Sequence, residues 1–223
     1  MITFEQAQSE ILKINPDNYY SHYYIQQEKH YLKDVMDAII KEGTHFKSVL
    51  DIGPGWGTLM LWLSEFVDNI SVLDIIKPGV WIPEKLLEEK NVKFYHENIF
   101  DTQISDIFDI ITMTQVIPHL KYNPIYVIQK IAKLINNDGV FITCLLDNEH
   151  HETVQSKYGK YWKALPIYGG VDDPVGDSDL VTAMYDRYSF FELLSYGFDS
   201  VSISRCESGI ELLAVCKSPR RDI

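Results

Sequence analysis

The chain has 223 residues, 46% of them hydrophobic, and a formal net charge of −12. This length suits one domain with a substantial core. The acidic balance argues against a nucleic acid as partner, because its phosphates would be repelled. No run of about 18 apolar residues predicts a membrane span.

The N-terminus lacks the basic stretch and apolar segment of a signal peptide. The three cysteines Cys144, Cys206 and Cys216 lie far apart, which favours reduced thiols over a disulfide framework. The acidic run at 172–179 lacks the spacing of a calcium loop. We therefore expect a cytoplasmic protein without a metal, a single domain over 1–223, and a monomer or homodimer.

The first 45 residues predict an N-terminal helical cap. Apolar residues recur at three- and four-residue spacing over 4–14 and again over 24–43, which is typical of amphipathic helices. Gly43 is a plausible end for the second of these helices.

Strands and helices alternate from residue 46 to residue 146. Short apolar runs predict five strands, and helical patterns separate them. This alternation predicts a parallel sheet, doubly wound with helices on both faces and joined by right-handed crossovers. The expected strands are 46–52, 70–76, 92–95, 106–114 and 139–146, and the expected helices are 57–67, 83–90 and 123–135.

The alternation stops over residues 147–186. A connection this long in a compact domain is typical of a lid or binding loop, so we expect an insertion or lid over the active site. Ser189 and Glu192 then match a capping box that opens a helix over 190–197. Two further strands, 199–206 and 210–217, are expected to form a hairpin.

A glycine loop follows the first predicted strand. Gly53, Gly55 and Gly57 alternate directly after Asp51, at the edge where open α/β sheets bind ligands. Glycines allow positive φ and close approach of a ligand to the backbone. The dinucleotide motif G-x-G-x-x-G would place glycine or alanine where Thr58 stands, and Asp51 would repel a pyrophosphate.

A second acid, Asp74, ends the second predicted strand. A carboxylate at this position can accept both hydroxyls of a ribose. The site therefore favours a ligand that carries a ribose and a positive group but no phosphate. S-adenosylmethionine has these three properties.

The ordered motifs resemble those of the class I S-adenosylmethionine-dependent methyltransferases. The matching segments are VLDIGPGWGTL, VLDII, VKFYHENIFD, FDIITMTQVIPHL and NNDGVFITCLL, with YSFFELLSYGFDSVSI near the C-terminus. The resemblance implies a seven-stranded, mostly parallel sheet of order 3-2-1-4-5-7-6 whose last strand is antiparallel. The cofactor residues it implies are Asp51, Gly53, Gly55, Gly57, Asp74, Ile75, Asn98, Ile99, Thr114 and Gln115.

Two segments depart from the family pattern. The third strand usually ends in Gly-Asp-Ala, whereas this chain has Glu97-Asn98-Ile99; Asn98 can still accept a hydrogen bond from the adenine amino group, and Ile99 can pack on the ring. After the fourth strand, Pro118 replaces the usual glutamate while His119 is kept.

The resemblance implies methyl transfer from S-adenosylmethionine, and we expect a small-molecule acceptor with O- or N-methylation. His119 and His150 are the candidate bases, although His119 often only builds the loop, and His150 and His151 can be solvated loop residues. Two groups of aromatic residues either wall an acceptor pocket or pack the lid. They are Tyr19, Tyr20, Tyr23 and Tyr24 near the N-terminus, and Tyr158, Tyr161, Trp162 and Tyr168 in the insertion.

Two other functions remain open from the sequence. One is a non-catalytic S-adenosylmethionine-binding partner or regulatory subunit. The other is a nicotinamide-dependent oxidoreductase, against which Thr58 argues, since it replaces the third glycine of the dinucleotide motif.

Overall fold

The computed structural model describes residues 1–14, 24–120, 123–150, 163–165, 181–183 and 185–222. Within these ranges helices and strands alternate through the middle of the chain, as the sequence predicts. The helices are α1 (Phe4–Ile14), α2 (Ile25–Glu28), α3 (Leu32–Glu42), α4 (Thr58–Leu63), α5 (Glu84–Glu89), α6 (Ile125–Leu134) and α7 (Arg187–Ser195). The strands are β1 (Ser48–Ile52), β2 (Asn69–Asp74), β3 (Lys93–His96), β4 (Phe108–Thr114), β5 (Ile135–Leu146), β6 (Lys163–Leu165), β7 (Val181–Ala183), β8 (Phe198–Arg205) and β9 (Glu211–Pro219).

The main sheet has seven strands in the order β3-β2-β1-β4-β5-β9-β8. The pairs among β1 to β5 are parallel, whereas β9 runs antiparallel to both β5 and β8. With β8 and β9 counted as the sixth and seventh strands of the sheet, the order is 3-2-1-4-5-7-6. The predicted fold class is confirmed.

The two faces of the sheet each bury a separate apolar core. Neighbouring residues of a strand point to opposite faces, so Val49 joins one cluster and Leu50 the other. The first cluster includes side chains of α1, α3 and α4, and the second includes side chains of α6 and α7. The carboxyl ends of the parallel strands therefore emerge between two helical layers.

Helix α7 begins earlier than the sequence predicted. Asp186 is the N-cap residue; its Oδ1 accepts a hydrogen bond from the backbone N of Ser189 at 2.8 Å, while its own N donates to the Ser189 Oγ. The capping box is therefore Asp186–Ser189, and the predicted pair Ser189–Glu192 was wrong. Ser189 occupies the N3 position rather than the cap, because the Asp186 carboxylate satisfies the free N–H groups of the first turn.

The N-terminal region also differs from the prediction. The helix expected over 24–43 is divided into α2 and α3, with the break at Lys29–Tyr31. Glu28 and Tyr31, on either side of the break, are both buried. Residues 15–23 lie outside the described part of the chain.

The described parts of the expected insertion contain two strands that the sequence did not predict. β6 and β7 pair in parallel, and β7 lies against the 3-10 turn Ile117–His119. At the base of the insertion Asp147 pairs with Tyr185 in a β-bridge. Among the described residues there is no helix with the length and apolar character needed to span a membrane.

Candidate active site

The glycine loop between β1 and α4 lies at the carboxyl edge of the sheet. Gly53 has φ of 66°, and a Cβ there would lie 2.3 Å from Val116 Cγ2, so no side chain fits between the loop and the segment after β4. Gly55 has φ of 56°, and a Cβ there would meet nothing within 4 Å. The loop thus combines a tight contact with the protein at Gly53 and an open backbone surface at Gly55.

Asp51 lies beneath this loop, at the end of β1, and is only 1% exposed. Thr112 Oγ1 on the neighbouring strand β4 donates a 2.7 Å hydrogen bond to Asp51 Oδ1. The other oxygen, Oδ2, is buried and has no hydrogen-bond partner among the described residues. Burial raises the pKa of Asp51 to about 7, against the lowering effect of the Thr112 bond, and the charge of Asp74 raises it further.

Asp74 ends β2, beside the start of the glycine loop. Gly53 N donates to Leu73 O at 2.8 Å, which fixes the loop against the strand end. Asp74 Oδ1 accepts a 2.8 Å hydrogen bond from Ile76 N. Burial raises the pKa of Asp74, while the backbone N–H groups of Ile76 and Ile75 oppose the rise. Ile75 presents an apolar side chain that is 66% exposed at the same edge.

Thr114 and Gln115 lie where β4 ends, and both are half-buried. Gln115 has φ of 57°, which is uncommon for a residue with a side chain. Its backbone N donates to Cys144 O at 2.8 Å, so the neighbouring strand β5 holds this conformation. Strained backbone of this kind clusters at functional sites.

Asn98 and Ile99 follow β3 at the same edge. Asn98 Oδ1 accepts a 3.0 Å hydrogen bond from Phe100 N, and a carbonyl oxygen has a second lone pair for a ligand. Ile99 is only 4% exposed and packs in the core cluster that contains Leu73. Less of Ile99 is therefore presented to a ligand than of Ile75.

Of the two candidate bases, the structure describes the side chain of His119 but not that of His150. His119 ends the 3-10 turn after β4, and its side chain is exposed. His150 ends a 3-10 turn after β5, and its side chain lies outside the described residues. So do His151 and the acidic run 172–179, together with all the predicted aromatic wall residues except Tyr24.

Sequence reasoning missed three residues that support the loop. Thr112 was detectable as a polar residue inside a buried apolar strand, where a hydroxyl needs a partner. Thr58 and Glu28 form a hydrogen bond across thirty positions of sequence, and no local pattern indicates it. Among the described residues no group of three or more His, Cys, Asp or Glu side chains is arranged to hold a metal ion.

The arrangement fits an aminoacyl-bearing nucleoside better than a dinucleotide. The carboxylate of Asp51 beneath the loop would repel a pyrophosphate placed there. Asp74 can accept from ribose hydroxyls, and the space at Gly55 admits a ligand against the backbone. The fold and the site define a Rossmann-like domain of the class I methyltransferase type.

Comparison with known proteins gives the family. A family model described as a methyltransferase domain matches residues 23–180, well over half of the chain. No curated protein matches by sequence. The chain belongs to the methyltransferase-domain family. The predicted class of enzyme, an S-adenosylmethionine-dependent methyltransferase, is thereby confirmed, and its cofactor is S-adenosylmethionine.

Solved structures share the fold across nearly the whole chain. The PH0226 protein from Pyrococcus horikoshii OT3 is 15% identical with a TM-score of 0.67, over 95% of this chain and 99% of that one. Burkholderia thailandensis 1,6-didemethyltoxoflavin-N1-methyltransferase, solved with 1,6-didemethyltoxoflavin and S-adenosylhomocysteine, is 14% identical with a TM-score of 0.66, over 99% and 92%. DhpI, solved with SAH, is 16% identical with a TM-score of 0.64, over 98% of both chains.

Proposed function

We propose that this enzyme transfers the methyl group of S-adenosylmethionine to an oxygen or nitrogen of a small-molecule acceptor and leaves S-adenosylhomocysteine. The observation that carries the small-molecule assignment is the charge. The chain has 32 acidic against 20 basic residues, and Asp51, Asp74 and Glu97 all lie at the carboxyl edge of the sheet. A phosphate backbone would be repelled there, whereas a neutral or cationic small molecule would not.

The proposed cofactor contacts come from the ends of four strands, β1 to β4. In this proposal the backbone of Gly53, Gly55 and Gly57 cradles the aminoacyl part, and Asp51 accepts from its amine. At the end of β2, Asp74 accepts from the ribose hydroxyls. Ile75 and Ile99 cover the adenine, and Asn98 accepts from its amino group. At the end of β4, Thr114 and Gln115 contact the methionine part.

The cofactor supplies a methyl group on a positively charged sulfur, so the driving force comes with it. The protein must align the acceptor with that methyl group and take a proton from a hydroxyl or a protonated amine. In this proposal His119 accepts that proton; it is exposed on the turn that follows β4. His150 is the second candidate for this role.

The described ends of the insertion support its assignment as a cover over the site. β7 lies against the turn that carries His119. Asp147, at the base of the insertion, forms an ion pair with Arg205 at an N···O distance of 2.7 Å. The described ends of the insertion therefore lie at the carboxyl edge, where an acceptor would approach the methyl group. The 1,6-didemethyltoxoflavin-N1-methyltransferase, which has a similar fold and was solved with 1,6-didemethyltoxoflavin bound, supports a small-molecule acceptor.

The test uses methyl-labelled S-adenosylmethionine and a cell extract separated into metabolite, protein and nucleic-acid fractions. Mass spectrometry of the labelled products is expected to find the label in the metabolite fraction. At S-adenosylmethionine concentrations below saturation, Asp74→Asn should strongly reduce labelling, while Asp199→Asn, on the exposed edge strand β8, should leave it unchanged. Label in the protein or nucleic-acid fraction would contradict the proposed acceptor class.

A further inference from the structure

A buried carboxylate joins the N-terminal helices to the glycine loop. Glu28, the last residue of α2, is only 6% exposed. Its Oε2 accepts a 2.9 Å hydrogen bond from Gln8 Nε2 on α1, and its Oε1 accepts one of 2.9 Å from Thr58 Oγ1. Gln8 Nε2 also donates to Ile25 O, so α1 and α2 are held as a pair.

Thr58 is well placed to control the loop. It is the first residue of α4 and directly follows Gly57, whose φ of 88° ends the loop. Thr58 is 1% exposed, and its β-branched side chain has few allowed rotamers. A hydrogen bond that fixes this hydroxyl therefore also fixes the backbone where the loop enters the helix.

A second contact between the same two elements comes from aromatic rings. Tyr24, which precedes α2, makes an edge contact with Trp56 in the glycine loop at a centroid distance of 6.1 Å. Tyr24 also lies 6.1 Å from Trp81, in the segment after β2. The N-terminal helices thus contact the loop at two positions, Trp56 and Thr58, that flank Gly57.

We propose that Glu28 and Thr58 are positioning residues, and that their hydrogen bond couples the docking of α1 and α2 to the cofactor-binding conformation of the glycine loop. This inference rests on the proposed assignment of that loop as the cofactor cradle. It also gives the threonine at position 58 a role, because its hydroxyl donates to the buried carboxylate from the first turn of α4.

The coupling has two measurable consequences. Removing the Thr58 donor takes one hydrogen bond away from a buried carboxylate and one restraint away from the loop exit, so binding of S-adenosylhomocysteine should weaken about 10- to 100-fold. Coupling is also reciprocal. Bound S-adenosylhomocysteine should therefore protect backbone amides of α1 and α2 from hydrogen exchange, although neither helix needs to touch it.

The experiment compares three variants by calorimetry and hydrogen exchange with S-adenosylhomocysteine. Thr58→Val keeps the shape but loses the donor, and we expect weaker binding and no ligand-induced protection of α1 and α2. Thr58→Ser keeps the hydroxyl and should restore both. Ser48→Ala is the control, because Ser48 Oγ accepts a 3.1 Å hydrogen bond from Asp109 N at the start of β1, the opposite edge of the sheet from the loop; it should lose stability without losing affinity.

Wild-type affinity in Thr58→Val, or an equal loss of affinity in Ser48→Ala, would overturn this inference while leaving the proposed function intact. Absence of binding in the wild-type protein would overturn the proposed function and this inference with it. A purely structural role for the hydrogen bond would not confine weak binding to Thr58→Val. Nor would it give ligand-induced protection of α1 and α2 that is lost in Thr58→Val and restored in Thr58→Ser.

Discussion

Replacing Asp51 by asparagine should stabilise the ligand-free protein at neutral and alkaline pH while weakening cofactor binding. Asp51 is almost completely buried, and its pKa is raised from 3.8 to about 7, chiefly by that burial. Because the folded protein holds this proton more tightly than the unfolded chain does, the free energy of unfolding falls as the pH rises from about 4 to about 7. Above that window the free energy of unfolding no longer changes through this group.

The magnitude follows from the width of the window. Each pH unit between the two pKa values corresponds to about 1.4 kcal/mol. The free energy of unfolding therefore falls by roughly 4 kcal/mol across the whole window, and by ~3 kcal/mol between pH 5 and pH 8. Asparagine keeps an acceptor for Thr112 but carries no titrating proton. The stability of Asp51→Asn relative to wild type should therefore increase by ~3 kcal/mol over that range.

Urea unfolding of the ligand-free proteins at pH 5, 6, 7 and 8 measures this difference. Subtracting the two profiles removes the titration of every other group that the variant leaves unchanged. Asp199→Asn, at an exposed position on β8, serves as the control and should follow the wild-type profile. A difference between Asp51→Asn and wild type that does not change with pH would refute the argument that Asp51 is buried at an energetic cost.

The same variant tests the functional side of the argument. A cationic amine beside Asp51 favours the ionised carboxylate, so wild-type affinity for S-adenosylhomocysteine should rise with pH up to about 7, the pKa of Asp51. Asp51→Asn should bind at least about tenfold more weakly at pH 8, with a flatter pH profile. Equal affinity in the two proteins would show that the unpaired oxygen does not meet the ligand.

Three further predictions concern single positions. Asp74→Asn should weaken S-adenosylhomocysteine binding about 10- to 100-fold in calorimetry, because a ribose hydroxyl loses a charged acceptor, while the circular dichroism spectrum stays unchanged. Gly55→Ala should fold, with the free energy of unfolding lowered by about 1–2 kcal/mol through the strain of its positive φ, but it should lose binding. Gly53→Ala should be less stable in urea than Gly55→Ala, because its Cβ meets Val116. Asp186→Ala should cost about 1 kcal/mol as the loss of an N-cap, and Glu192→Ala much less; equal costs would contradict the observed capping box.

The order of the elements and the placing of the candidate site residues at the carboxyl edge were predictable because both follow from local patterns. Apolar runs of strand length, separated by helical spacing, define a parallel sheet, and its carboxyl edge then collects whatever polar residues end the strands. Asp51, Asp74, Thr114 and Gln115 were located in this way. The antiparallel placement of β9 came from the family resemblance instead, since a hairpin alone does not say which strand it pairs with.

The errors share a physical cause, which is competition between equally good local patterns. Both Asp186 and Ser189 have side chains that can cap a helix, and the helix begins at the earlier one because its carboxylate accepts from Ser189 N. The unbroken helical spacing over 24–43 hid the break at Lys29–Tyr31, beside which Glu28 accepts tertiary hydrogen bonds from Gln8 and Thr58. Tertiary contacts settle such choices, and a single sequence does not contain them in readable form.

Two threonine–carboxylate pairs hold the glycine loop, one at each end. Thr112 donates to Asp51 beneath the loop's entry, and Thr58 donates to Glu28 at its exit. Buried carboxylates are costly, and apolar residues of similar size would make the same positions more stable. Their presence at both ends of one loop agrees with the proposed roles, in which Asp51 accepts from the ligand and Glu28 positions the backbone that presents it.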